Sequence, residues 1–134
     1  MTSQLILPLL AWLHAALCGV VILFQIALIS GAPWGRLTQG GAVEGALPVS
    51  GRIAAGLSAL LMVAIAVVPL SVAGVGPPLP RWTAFLAMAI VTLAVIANLI
   101  TRSRAERRLW APIAACMWGL QGAILLSTFS GASS

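Results

Sequence analysis

Four long apolar runs, separated by short stretches that carry nearly all of the charge, set the pattern of this chain. The first covers residues 5 to 30, with His14 and Gln25 as its polar interruptions, and Gly31-Ala32-Pro33 then supplies a helix terminator. The second runs from 52 to 75 and stops at Gly76-Pro77-Pro78-Leu79-Pro80. The third covers 82 to 101 and the fourth 109 to 128, ahead of a polar tail. About 20 apolar residues in helical form cross the hydrocarbon core of a bilayer. The pattern therefore predicts an all-α polytopic membrane protein, a four-transmembrane-helix bundle in which residues 1–134 form one domain.

Composition supports this reading. The 134 residues are 61% hydrophobic and 7% charged, which leaves too little polar surface for a soluble fold of this size. Met1-Thr2-Ser3-Gln4 lacks a cationic leader, so the first helix is expected to be retained. The formal charge of +5 comes from seven arginines gathered at span ends, which points to anionic membrane lipid as partner and away from nucleic acid.

Those arginines also assign a direction. Arg36, Arg52, Arg102, Arg104, Arg107 and Arg108 flank the first and third loops, and Arg81 alone flanks the second. Because short loops rich in arginine stay in the cytoplasm, both termini are expected outside. Trp34, Trp82 and Trp110 fall at span ends, where indole rings anchor helices at headgroup level. Ser103 and Glu106 form an S-x-x-E capping pattern for the fourth helix, which would bring Pro112 inside it.

Within the spans, Ala11, Ala15 and Gly19 recur at fourth positions, as do Ala111, Ala115, Gly119 and Ala123. Such small-residue seams predict close contact between the first and fourth helices. His14, Cys18, Val21 and Gln25 share one helical face that should point inward. Counting along antiparallel helices places His14 level with Gln121, and Gln25, Ser58 and Asn98 together nearer the arginine-rich end. Each of these polar groups is either a packing hydrogen bond or part of a path through the membrane.

Several chemistries are disfavoured. There is no aspartate, and Glu44 and Glu106 both fall in loops, so a carboxylate relay through the membrane core is absent. One histidine cannot supply paired haem ligands, and His14, Cys18 and Cys116 lack metal-site spacing, so neither cofactor nor metal is expected. Both cysteines lie in apolar runs and are expected as buried thiols. An enzyme acting on lipid phosphate would need His14, near mid-depth, to meet cations at the membrane surface.

The first loop holds six glycines from Gly31 to Gly51, with Trp34 and two prolines, and is expected to form an ordered structure on the bundle. Its amides and Arg36, joined by Arg52 and by Arg102 or Arg104, form a candidate anion site; the competing reading has Glu44 or Glu106 pairing with arginines. It lacks the Lys-Ser/Thr ending of a P-loop.

Two segments, Gly31-Ala-Pro-Trp-Gly35 with Gly40-Gly41 and Leu47-Pro48 before Arg52, and Asn98-x-x-x-Arg-Ser-Arg-Ala-Glu106-Arg-x-x-Trp110-x-Pro112, resemble a group of small bacterial four-helix integral membrane proteins without assigned function. The resemblance implies a bundle in the bacterial cytoplasmic (inner) membrane and carries no activity. The leading expectation is a non-enzymatic protein whose basic face, built from Arg36, Arg52, Arg102 and Arg104 with Trp34 and Trp110, binds anionic lipid, a small anion or a partner subunit. The alternative is a small homo-oligomeric transporter with a path lined by His14, Gln25, Asn98 and Gln121.

Overall fold

A computed structural model describes residues 2–130, with side chains from residue 4 onward. It contains four long helices, α1 (Thr2–Ile29), α2 (Val49–Val72), α3 (Trp82–Ile100) and α4 (Arg104–Ser130), and no strand among the described residues. Two single turns of 3-10 helix, Gly35–Leu37 and Gln39–Gly41, shape the first loop. With 28, 24, 19 and 27 residues, the helices extend about 42, 36, 29 and 40 Å at 1.5 Å per residue, enough to cross a core of about 30 Å. All four are long and apolar enough to span a membrane, so the chain is a four-helix multi-pass bundle.

The helix ends follow local chemistry. α1 closes in a Schellman motif: Gly31, at φ 101°, donates to the Leu28 carbonyl (3.1 Å) and Ala32 to that of Ala27 (2.9 Å). α2 ends the same way, because Gly74 at φ 76° donates to Ser71 (3.1 Å) and Val75 to Leu70 (3.0 Å). The expected end at residue 75 is therefore three residues too late; the glycine ends the helix before the prolines do. α2 also begins earlier than residue 52, at Val49, with Pro48 as its cap residue. α4 starts at Arg104 instead of 109, since the Ser103 hydroxyl accepts the Glu106 N–H (3.2 Å) as the S-x-x-E pattern anticipated. At about 40 Å, α4 has length to hold its arginine-bearing first turns outside the hydrocarbon.

α1 packs along α2 and α3 along α4, the two hairpins join chiefly through α1 and α4, and α2 touches α3 only lightly. At the centre Cys18, Ile65, Val91 and Met117 meet, one from each helix. The contact between the first and fourth helices is present, but of the expected α4 seam only Ala111 is buried. On α4 the buried stripe is Ala111, Ala114, Met117, Gln121 and Ile124, whereas Ala115, Gly119 and Ala123 face outward. Packing of this stripe against the neighbouring helices sets the rotation of α4, and it turns the small residues to the outside. The same rotation exposes Cys116, contrary to the expected buried thiol, while Cys18 is fully enclosed.

Candidate functional site: the basic end and the cavity beneath it

The first loop is fastened onto the α3–α4 turn by backbone and side-chain bonds. Glu106 Oε2 accepts from the Gly40 N–H (3.0 Å) and from the Thr101 hydroxyl (2.7 Å). Ser103 Oγ donates to the Arg36 carbonyl (2.6 Å) while capping α4. Trp110 Nε1 donates to the Leu37 carbonyl (2.8 Å). Phe24, from the last turns of α1, lies between two indoles, stacked on Trp34 at 5.8 Å and edge-on to Trp110 at 4.6 Å. On the other side the Gln39 amide donates to Gly51 (2.8 Å), and Arg52 Nε donates to Leu47 (2.9 Å) with its guanidinium lying against Gly31.

Two glycines make this docking sterically feasible. A Cβ on Gly35 would collide with the Val43 carbonyl, and Gly35 N–H itself donates to Gly45 (2.8 Å). Gly41, at φ 69°, sits so close to Ser103 that a Cβ would fall 2.6 Å from the serine's own.

This geometry revises the expected anion concavity. The carboxylate received by the loop is the protein's own Glu106, and Arg52 holds loop to helix. Glu106 takes its donors from a backbone amide and a hydroxyl, and no arginine of the described residues forms an ion pair with it. Trp110 acts as a clasp for the loop, whereas Trp34 keeps an exposed edge. Arg36 is brought beside the turn that carries Arg102 and Arg104, and all three side chains are exposed with no hydrogen-bonding partner among the described residues. Arg107 alone in that turn donates inward, to the Thr101 carbonyl (2.7 Å).

Beneath the loop is a cavity of about 140 Å³. Gln25 and Asn98 both line it, as their shared depth predicted, and Thr38, Glu106 and Trp110 form its polar upper wall. Met62, Ile90 and Met117 close it below; Ser58 is not part of it. Asn98 donates to the Ala94 carbonyl of its own helix (2.8 Å), leaving its side-chain oxygen free. Deeper in the bundle His14 and Gln121 adjoin and are buried. The His14 Nδ1 lies 3.7 Å from the Cys18 sulfur, but His14 Nε2 and both polar atoms of Gln121 have no partner within hydrogen-bond geometry among the described residues. The polar residues thus form two layers, one at the cavity and one enclosed below it.

Phe24, Thr38, Thr101 and Ser103 belong to the docking site and were not singled out as site residues from the sequence. Ser103 carried a signal, since it opens the S-x-x-E pattern that Thr101 shortly precedes; Phe24 did not, because one aromatic in an apolar span reads as core. Comparison of the chain with family models, curated proteins and solved structures finds no match.

Proposed function

We propose that this is a non-enzymatic integral membrane protein of the bacterial cytoplasmic membrane whose arginine-bearing end engages anionic lipid headgroups. The observation that carries this reading is the division of labour at that end. Glu106, Ser103, Trp110 and Arg52 hold the loop down through backbone groups, while the guanidinium groups of Arg36, Arg102 and Arg104 stay outside and unneutralised by a carboxylate. Each such cation near an acidic leaflet contributes about 1 kcal/mol of attraction. The positive-inside rule supports a cytoplasmic position for this end and an external position for both termini.

The test is thermal. Adding phosphatidylglycerol to the detergent-solubilised protein should raise its Tm, and the triple variant Arg36→Gln, Arg102→Gln, Arg104→Gln should show a smaller gain without a change in its Tm in detergent alone. An undiminished gain in the variant would remove the lipid reading.

The cavity favours a second reading, a small homo-oligomeric transporter with Gln25 and Asn98 at its entrance and His14 and Gln121 below. Four helices rarely enclose a pathway alone, so this version requires self-association. A monomer in native-like nanodiscs and in mild detergent argues against it.

A further inference from the structure

Arg81 has no acidic side chain at its end of the bundle. Both glutamates, Glu44 and Glu106, belong to the first loop and the α3–α4 turn, at the opposite end. The guanidinium lies over the ring of Phe129, 5.1 Å from its centroid, which holds the cation against the end of α4. It lines a cavity of about 190 Å³ together with Ser71, Thr83 and Thr128. Thr83 and Thr128 donate to the carbonyls of Pro80 and Leu125, whereas Ser71 Oγ accepts from the Leu79 N–H and keeps its own proton to give. The donors facing this cavity are therefore Arg81 and Ser71, and neither faces an anion among the described residues.

A second cavity adjoins it and shares Leu79 and Thr83. It measures about 380 Å³ and lies where α2 and α3 touch only lightly, lined by Leu61, Ala64 and Val68 on one side and Trp82, Leu86 and Ile90 on the other. From Trp82 to Ile90 it follows about 12 Å of helix toward the membrane centre. Its wall is almost wholly apolar, and it opens sideways where lipid would lie.

A chamber that holds an arginine and a serine donor, continuous with an apolar groove that runs along the membrane normal, has the form of one amphipathic molecule with a negative head. We propose that the α2–α3 groove holds a single phospholipid, its phosphate on Arg81 and Ser71 and one acyl chain between α2 and α3. The site is at the end opposite the basic face and is independent of the lipid contacts proposed there. The lipid fills the gap that the light contact between α2 and α3 leaves, and so completes the packing of the two hairpins.

The experiment is native mass spectrometry of the full chain released from nanodiscs made of equal parts phosphatidylglycerol and phosphatidylcholine. The wild type should retain one lipid, enriched in phosphatidylglycerol. Arg81→Gln should reduce that enrichment about fivefold, the weight of one interfacial arginine, and Arg81→Lys should restore most of it. Ala64→Phe, at an exposed position that lines the groove, should displace the lipid whatever its head. Arg102→Gln with Arg104→Gln should leave this one lipid in place. Retention unaltered by both Arg81→Gln and Ala64→Phe would overturn the proposal, as would loss of the retained lipid only in the Arg102 and Arg104 variant.

Discussion

Replacing Glu106 with alanine should release the first loop while leaving the four helices folded. The carboxylate accepts two hydrogen bonds, at 3.0 Å from Gly40 N–H and 2.7 Å from the Thr101 hydroxyl. Bonds to a charged acceptor contribute about 1.5–3 kcal/mol each when shielded. The Thr101 bond lies within the α3–α4 turn and orients the carboxylate, so the Gly40 bond is the one lost when the loop lifts; it is at the surface, where water replaces the lost partner, and the low end of about 1.5 kcal/mol applies. At about 1.4 kcal/mol per tenfold, the opening constant of the loop rises about tenfold. Glu106→Gln keeps a carbonyl acceptor and loses only the charge, for a cost of about 1 kcal/mol and about fivefold. Hydrogen exchange of a peptide covering residues 33–47, in nanodiscs, reads this directly: amide protection should fall in the order wild type, Gln, Ala, with the spans unchanged. Equal protection in wild type and Glu106→Ala would refute the idea that this carboxylate holds the loop.

Other substitutions separate the remaining contributions. Trp110→Phe keeps the ring against Phe24 but deletes the donor to Leu37, and should raise exchange of the same peptide about fivefold, or about 1 kcal/mol, whereas Trp110→Ala should raise it much further. Gly35→Ala should lower the Tm more than Gly40→Ala, because its Cβ meets the Val43 carbonyl while Gly40 has open space and incurs only a left-handed strain of about 1–2 kcal/mol. Gln121→Leu should leave the Tm in detergent unchanged or raised, since both polar atoms of the amide are buried without partners; a loss above about 2 kcal/mol would mean that the amide has a bound partner.

Much of this architecture was legible because bilayer physics is written in long stretches of sequence. Span number, the turn-borne arginines, the S-x-x-E cap and the pairing of Gln25 with Asn98 and of His14 with Gln121 all follow from hydropathy, period and depth. Rotation about a helix axis is harder to read. In α4 the small residues and the polar Gln121 compete for the same interior, and only packing against the neighbouring helices decides that Ala115 and Gly119 turn outward. The role of Glu106 was hidden for a different reason. From sequence a lone glutamate among arginines suggests ion pairs, but the loop brings Gly40 from 66 residues away and offers a backbone amide in a better direction. The groove between α2 and α3 was likewise invisible, since it reflects how lightly two helices touch.

The central claim is that the arginine-bearing first loop and the α3–α4 turn form one face of the membrane, opposite the second loop. Single cysteines at positions 36, 79 and 104, in a background with Cys18 and Cys116 replaced by serine, test it when intact cells are treated with a membrane-impermeant maleimide. Positions 36 and 104 should react only after permeabilisation, and position 79 should react before it. Labelling of 36 and 104 from opposite sides, or of 79 and 104 from the same side, would contradict the account.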